Sequence, residues 1–191
     1  MTEWAGERTS SRRQLLTATQ ALLWDQGYAA TSPRDIQKLS GVGQGSFYHH
    51  FESKKQLATT ALTELAEEMI ADAAAILEAD APAIERLRMF IAKPRHGLSG
   101  CKLGRLAAEA EIFDVELNMP VRRYFKHLNG QLCDVIREAQ MQDSVNPLLG
   151  PEALAKLVVA AIQGGYVLAR INNEEAVHPE IAASLYELLD L

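Results

Sequence analysis

The most constraining feature of this sequence is the stretch 31–51, TSPRDIQKLSGVGQGSFYHHF, which predicts two short helices joined by a glycine-containing turn. Ser32 is a favoured helix N-cap, and Asp35 three residues later completes a capping box. Gly41 suits the end of this helix because glycine tolerates a positive φ. A second helix can begin near Gly43. The stretch therefore predicts a helix-turn-helix.

The second helix of the pair is expected to have one buried and one exposed face. Phe47 and Phe51, four residues apart, are expected to point into the core, and Ile36 and Leu39 of the first helix are expected to join them. In a helix-turn-helix the second helix enters the major groove of DNA, where side chains distinguish base pairs. The candidates for groove contacts are Gln44, Gly45, Ser46, Tyr48 and His49, and those for phosphate contacts are Thr31, Arg34 and Lys54.

The residues around this stretch also resemble a known family. In chain order the matching pieces are GY at 27–28, TS at 31–32, DI at 35–36, GV at 41–42, GSFYHHF at 45–51 and Lys54. On these pieces, residues 12–57 resemble the DNA-binding domain of the tetracycline repressor (TetR) family of regulators. Gly43 stands where the family usually has a capping serine, and Gln44 where a lysine is frequent. The resemblance implies a dimer that pairs through its last two helices and leaves DNA when a small ligand enters the C-terminal bundle.

The charge distribution favours DNA binding at the N-terminal end. The net charge is −6, but residues 8–55 carry seven basic and three acidic residues, a local charge of +4. The residues after Lys55 carry twelve basic and twenty acidic residues, a charge of −8. Phosphate binding needs a local basic face and not a basic average. We therefore expect double-stranded DNA as a partner, with a palindromic operator and a homodimer because one short helix contacts few base pairs.

The whole chain is predicted to be all-α, because no stretch alternates as a strand does and apolar residues recur at helical spacing. We expect roughly nine helices, arranged as an N-terminal three-helix domain with the helix-turn-helix and a C-terminal helical bundle. The main helices are expected over 11–26, 54–78, 84–91, 101–113, 118–142 and 152–172, with a last one from His178. The DNA-binding domain is expected to span 1–55, with a flexible arm over 1–8, and the ligand-binding and dimerisation domain 56–191.

The second domain contains candidates for a ligand pocket and for a dimer interface. The pocket candidates are Met69, Met89, Phe90, Cys101, Glu109, Phe113, Tyr124, Phe125, His127, Gln163 and Tyr166. Each of these side chains can instead be a simple core residue. The interface candidates are Leu154, Leu157, Val158, Ala161, Ile162, Gly165, Leu168, Ile181, Leu185 and Leu188. The pair Gly164 and Gly165 permits close contact with a partner helix or a kink within its own helix.

Bulk properties predict a soluble, cytoplasmic protein. Two cysteines in 191 residues argue against a disulfide framework and suit a reducing compartment. The sequence has no cationic apolar signal and no uncharged apolar run of about 20 residues, so neither secretion nor a membrane partner is expected.

Cys101 suggests an alternative kind of regulator. It is close in sequence to His96, Lys102 and Arg105, and basic neighbours at a helix start lower the pKa of a thiol. Cys101 is therefore either an electrophile or redox sensor or a small buried hydrophobe. An enzyme or an α-helical adaptor has no supporting motif, since a P-loop, a dinucleotide fingerprint, a metal-ligand cluster and a nucleophile elbow are all missing from the sequence. We expect no catalytic residue, cofactor or metal.

Overall fold

The computed structural model of the protein describes residues 3–145 and 147–189, with side chains from Ser11 onward. Within these residues nine α-helices and two 3-10 helices occur and no strand does, so the predicted all-α class is confirmed. The α-helices are α1 (Glu3–Asp25), α2 (Gly27–Ala30), α3 (Pro33–Ser40), α4 (Gln44–His50), α5 (Lys54–Leu77), α6 (Ala83–Ala92), α7 (Val115–Met141), α8 (Pro151–Asn172) and α9 (Val177–Leu189). The 3-10 helices are Gly104–Ala108 and Ala110–Phe113.

The contacts within the chain divide it into two compact units. The first unit combines Met1–Glu67 with Lys102–Arg122, and the second combines Glu68–Cys101 with Arg123–Leu191. The first unit therefore holds the helix-turn-helix together with a segment that is distant from it in sequence. α5 and α7 each run from one unit into the other.

α1 is longer than the sequence predicted. It begins at Glu3, well before Ser11, where we expected its start. The added turns contain good helix formers, which allow the helix to extend in this direction. The arm expected over 1–8 is thus helical from Glu3, and Met1 and Thr2 lie outside the described residues.

The stretch expected as one helix over 101–113 is instead two 3-10 helices. They are separated by Glu109, whose backbone is extended with φ −105° and ψ 152°. An extended residue cannot continue a helix.

α7 begins earlier than expected because of a cap that the sequence analysis missed. Its first residue is Val115 and not Asn118. The Asp114 carboxylate accepts hydrogen bonds from the next helical amides, those of Glu116 at 2.9 Å and Leu117 at 3.2 Å. A carboxylate at this position satisfies amides that have no partner within the helix.

The first unit is built around one apolar core. Its buried members are Leu15, Leu16, Ala18, Ile36, Val42, Phe47, Phe51, Leu57 and Ala61. These residues come from α1, α3, α4, α5 and the turns between them, so the core fixes the two helices of the helix-turn-helix against both flanking helices.

In the second unit α9 packs against both α6 and α8. Among the described helices, α8 is long and apolar enough to suit a membrane span by length and composition, and 33% of its most apolar window is buried. One side of α8 packs in the unit, and the other exposes apolar side chains such as Leu157, Leu168 and Ile171.

Candidate nucleic-acid interface and ligand site

Capping residues determine where the two helices of the helix-turn-helix begin and where the first one ends. The Ser32 hydroxyl accepts a hydrogen bond from the Asp35 amide at 3.2 Å, and the Asp35 carboxylate accepts one from the Ser32 amide at 2.9 Å. The hydroxyl also donates to this carboxylate at 2.6 Å, and this bond is the main reason why the pKa of Asp35 is lowered. Gly41 ends α3 with φ 71°, and Gly43 is the N-cap of α4. The predicted capping box and turn are therefore confirmed.

α4 packs through one face and leaves the other free. Phe47 is fully buried and Phe51 is 4% exposed, as predicted. Tyr48 is 52% exposed, and its ring meets the Phe47 ring edge-on with 5.0 Å between centroids. A Cβ added to Gly45 would meet no atom within 4 Å, so packing within the chain does not require glycine there. The other groove candidates are exposed or half-buried: Gln44, Ser46 and His49.

The prediction that Leu39 is a core residue is wrong. Its side chain is 56% exposed, whereas Val42 of the turn is 6% exposed and joins Ile36 in the core. Val42 of the turn thus occupies the core position next to Ile36, and the Leu39 side chain is exposed to solvent. The exposed side of α3 also carries the cations Arg34 and Lys38.

Two of the candidates for phosphate contacts are bonded inside the first unit. Thr31 is buried, and its hydroxyl donates to the Gly27 carbonyl at 2.6 Å. The Lys54 ammonium donates to the carbonyl oxygens of Tyr28 at 3.0 Å and Thr31 at 2.9 Å. It also lies 3.9 Å from the centroid of the Tyr28 ring. Lys54 therefore holds the start of α5 to the α2 region, and the Thr31 hydroxyl bonds the first residue of α2. Arg34 is the candidate with an exposed cation.

Glu109, a predicted pocket residue, lies in the first unit. Its carboxylate accepts hydrogen bonds from the amides of Tyr28 at 3.1 Å and Ala29 at 2.8 Å. Gly27 makes room for it, because a Cβ there would lie 2.5 Å from the Glu109 Oε1 atom. The structure assigns Glu109 to the anchoring of α2, and not to a pocket in the second unit.

The remaining pocket candidates separate into interior and surface residues. Phe90, Cys101 and Tyr124 are buried, and Met69, Phe125, Gln163 and Tyr166 are half-buried. Three candidates lie on the surface, contrary to prediction: Met89 at 45% exposure, Phe113 at 87%, and His127. Phe113 also belongs to the first unit, where it ends the second 3-10 helix. Their helical positions place these side chains away from the core.

Two polar residues of the second unit, the half-buried Arg95 and the buried His178, were not predicted from the sequence. Burial lowers the pKa of Arg95, with opposing effects from nearby Tyr166 and Tyr124. His178 is 7% exposed, and its ring meets the Tyr166 ring edge-on at 4.4 Å. Its Nε2 atom has no hydrogen-bond partner among the described residues. The only sequence signal for His178 was its place before a proline, which indicated a helix start.

Two glycines make room for the His178 ring. A Cβ on Gly165 would lie 2.8 Å from the His178 Cε1 atom, and a Cβ on Gly97 would lie 3.2 Å from its Cδ2 atom. Gly164 differs, because a Cβ there would meet nothing within 4 Å. Gly165 therefore lets α8 and α9 of one chain pack closely. Because it is buried in this contact, its prediction as a dimer-interface residue is wrong.

A cleft of about 430 Å³ lies between the end of α6 and the start of α9. Its lining includes Lys93, Arg95, Glu175, His178, Pro179 and Tyr186. None of the residues that line this cleft was predicted from the sequence to be a site residue.

The predicted interface residues also divide into two groups. Leu154, Val158, Ile162, Gly165 and Leu185 are buried within the chain, contrary to prediction, because they pack inside the second unit. Leu157, Leu168 and Leu188 are 44%, 48% and 63% exposed, and Ala161 and Ile181 are half-buried. The same side of α8 carries Ile171 at 73% exposure.

Known proteins resemble this chain over its whole length. Residues 15–61 match the family described as bacterial regulatory proteins, tetR family. The HTH-type transcriptional repressor DhaR of Mycobacterium sp. (strain GP1) is 26% identical over 185 residues, which cover 95% of this chain and 93% of DhaR. The HTH-type transcriptional regulator LmrA of Bacillus subtilis (strain 168) is 28% identical over 186 residues, covering 94% and 96%. The crystal structure of a TetR-family transcriptional regulator from Agrobacterium tumefaciens matches with a TM-score of 0.87 and 23% identity, covering 95% and 98%.

A capped helix-turn-helix with a free polar face, attached to a second helical unit, defines a transcriptional regulator that binds DNA. The matched residues 15–61 contain this entire motif. The chain is a member of the TetR family of transcriptional regulators.

Proposed function

We propose that this regulator is a repressor that binds a palindromic DNA operator as a homodimer and dissociates when a small molecule binds its second unit. The free polar and aromatic face of α4, opposite the buried Phe47, carries the DNA-binding part. In the major groove Gln44, Ser46, Tyr48 and His49 supply hydrogen-bond donors, acceptors and an aromatic surface. Arg34 contacts the phosphates and sets the register.

Gly45 lets the backbone of α4 approach the DNA closely. No atom of the chain occupies the space where its Cβ would lie, so the absence of a side chain benefits a partner outside the chain. Thr31 and Lys54 act indirectly, because Lys54 bonds α5 to the carbonyls of Tyr28 and Thr31 and the Thr31 hydroxyl bonds the Gly27 carbonyl.

The homodimer is proposed to form through one side of α8. Leu157, Ala161, Gly164, Leu168 and Ile171 follow one another at spacings of four, three, four and three residues. This is the heptad spacing of a helix seam that pairs with another helix, and the small residues at its centre permit close approach. A second copy of the chain also accounts for the exposed apolar surface of α8 in a soluble, cytoplasmic protein.

The effector is proposed to act through its preference for one conformation. A ligand that binds more tightly to the conformation that fits DNA poorly lowers the DNA affinity. The size of this effect is limited by the ratio of the ligand's affinities for the two conformations. α5 runs from the helix-turn-helix unit into the second unit, so its displacement changes the position of α4.

The alternative through Cys101 has weaker support. Cys101 is 8% exposed, and thiols react with oxidants and electrophiles when they are accessible and in thiolate form. An enzyme that uses Cys101 with His96 or His127 is also not favoured, since both histidines are at the surface and Cys101 is buried. Ligand binding therefore remains the proposed signal.

A gel-shift titration with the DNA upstream of the protein's own gene tests DNA binding. We expect a salt-sensitive complex that Tyr48→Ala and Gly45→Ala each weaken by about tenfold or more, because groove contacts and close approach are lost. Gly45→Ala should leave the free energy of unfolding equal or higher, since alanine has the better helix propensity.

Gln142→Ala is the matched control, because Gln142 is exposed in the second unit. It should bind DNA as the unchanged protein does. A site-specific complex that survives both substitutions in α4 would refute the assignment of this face to the groove.

A further inference from the structure

The cleft between the end of α6 and the start of α9 contains an arginine whose charge has no acidic partner. Arg95 makes no ion pair with any carboxylate of the described residues. Its guanidinium donates to three carbonyl oxygens, those of Phe90 at 2.8 Å, Ile91 at 2.9 Å and Lys93 at 2.7 Å. The guanidinium also lies 5.3 Å from the centroid of the Phe90 ring. These contacts hold the cation in one position at the edge of the cleft.

The three carbonyl oxygens do not bond all the N–H donors of the Arg95 guanidinium. Arg95 bonds two of these oxygens through Nη1 and one through Nη2. A guanidinium has five N–H donors, so the Nε–H and one Nη2–H remain without a partner in the described part of the chain. Unused N–H donors of a guanidinium can bond the oxygens of a carboxylate.

The other charged groups of the cleft do not neutralise Arg95. The Glu175 carboxylate accepts hydrogen bonds from the backbone amides of Gly97 at 2.6 Å and Leu98 at 3.4 Å. Lys93 adds a second cation, and its ammonium lies 3.6 Å from the exposed carboxylate of Asp72. A partly buried cation without a counter-charge is costly, and a bound anion offsets that cost.

The rest of the cleft is apolar. Its lining includes Ile91, Pro94, Pro179, Ala182, Ala183 and Tyr186. A volume of about 430 Å³ lies in the range of small-molecule sites. The cleft thus combines a fixed cation with a wall that suits hydrocarbon.

We propose that this cleft binds a small carboxylic acid with an aliphatic or aromatic body, whose carboxylate pairs with Arg95 and whose body lies against Pro179, Ala183 and Tyr186. The role of this cleft as the effector site rests on the proposed function, whereas the binding of a carboxylic acid to it does not. The cleft is lined by His178, which packs against α8 at Gly165, so its occupant contacts a residue that packs against the helix of the proposed dimer seam.

Calorimetric titration of the full chain with octanoate and with octan-1-ol tests the proposal. We expect saturable binding of one octanoate per chain and much weaker binding of octanol. Arg95→Gln should weaken octanoate binding by about 10- to 100-fold, the usual worth of a hydrogen bond to a charged group. Lys126→Gln, which changes an exposed cation of α7, should not alter it.

A second variant covers the case in which Arg95→Gln disturbs the end of α6. Ala183→Phe narrows the cleft but leaves Arg95 in place, and it should also abolish octanoate binding while thermal unfolding stays cooperative. Equal affinity for acid and alcohol, unchanged affinity in both variants, or no saturable binding would each overturn the proposal. If octanoate binds but does not release DNA, the binding site stands and its role as the effector site fails. If no DNA complex forms at all, the proposed function fails independently of the titration.

Discussion

His178 shows how one buried side chain constrains residues on other elements. Its imidazole lies against Tyr166 and in spaces left by Gly97 and Gly165. Its surroundings also include the Arg95 cation, which with burial lowers the pKa of the ring. A residue of α9 thereby determines which side chains α8 and the loop after α6 can carry.

Gly165→Ala is expected to destabilise the protein by about 1–3 kcal/mol, the usual cost of an overpacked core. The new Cβ would lie 2.8 Å and 2.9 Å from atoms of the His178 ring and 3.0 Å from Ile181. Denaturant unfolding at one fixed protein concentration measures the change. Gly130→Ala in α7 is the control, because its Cβ would meet nothing within 4 Å and should stabilise the helix by about 0.5–1 kcal/mol. Equal effects of the two substitutions would contradict the packing role of Gly165.

The lowered pKa of His178 predicts a loss of stability in mild acid. Burial and the Arg95 charge lower it below the usual value of 6.5, and Glu175 opposes them. The unfolded chain therefore binds this proton more readily, so the stability from neutral His178 is complete above about pH 6.5 and is lost as the pH falls through the folded-state pKa. We expect the free energy of unfolding to fall on acidification from about pH 7.5 to 5.5. His178→Gln should flatten this dependence, whereas a flat profile in the unchanged protein would show that the ring titrates normally.

At the scale of elements, the segment of two 3-10 helices is part of the helix-turn-helix unit. Glu109 bonds the amides at the start of α2, and Lys55 of α5 pairs with Asp114 at 2.9 Å and Glu116 at 3.1 Å. The hydrogen bond to Lys55 is also the main reason why the pKa of Asp114 is lowered. The segment 102–122 thus contacts both the α2 region and the first turn of α5.

Glu109→Ala is expected to lower the free energy of unfolding by about 1–2 kcal/mol, because the two amides that it accepts from lose a charged partner. Equilibrium denaturation of the full chain gives the value. Glu68→Ala, which removes an exposed acid of α5, should stay within about 0.5 kcal/mol of the unchanged protein. A loss no larger than that of the control would mean that water replaces the carboxylate without cost.

At the scale of the whole molecule, the seam of α8 is an exposed apolar surface in the described part of the chain. Leu157, Leu168 and Ile171 are 44%, 48% and 73% exposed, and soluble proteins use such apolar surfaces for association. A two-fold pair of chains also presents two copies of α4 to successive half-sites of an operator.

Leu168→Glu is expected to convert the protein to a monomer and to reduce operator affinity, because dimer formation would bury a charge in the apolar seam. Sedimentation velocity measures the mass, and a gel shift measures the DNA affinity. Met141→Glu places the same charge on an 80% exposed apolar residue at the end of α7 and should leave the dimer intact. A dimer that persists in Leu168→Glu would exclude the α8 seam as the interface.

Local chemistry allowed much of the first unit to be predicted. The capping box of Ser32 and Asp35, the left-handed Gly41 and the buried pair Phe47 and Phe51 follow from interactions within a few residues of each other. Leu39 was predicted wrongly because helical spacing does not reveal that Val42, from the turn, takes the adjoining core position.

By itself the sequence determined the all-α class, the helix-turn-helix and the family, because caps, turns and apolar periods are local and the motif is contiguous. Only the tertiary structure decided which polar groups meet across long separations in the chain. Glu109 lies far in sequence from the α2 amides that it bonds, and Arg95 lies far from His178. Such pairs leave no periodic signal, since a partly buried charge is positioned by the packing of whole helices and not by its neighbours along the chain.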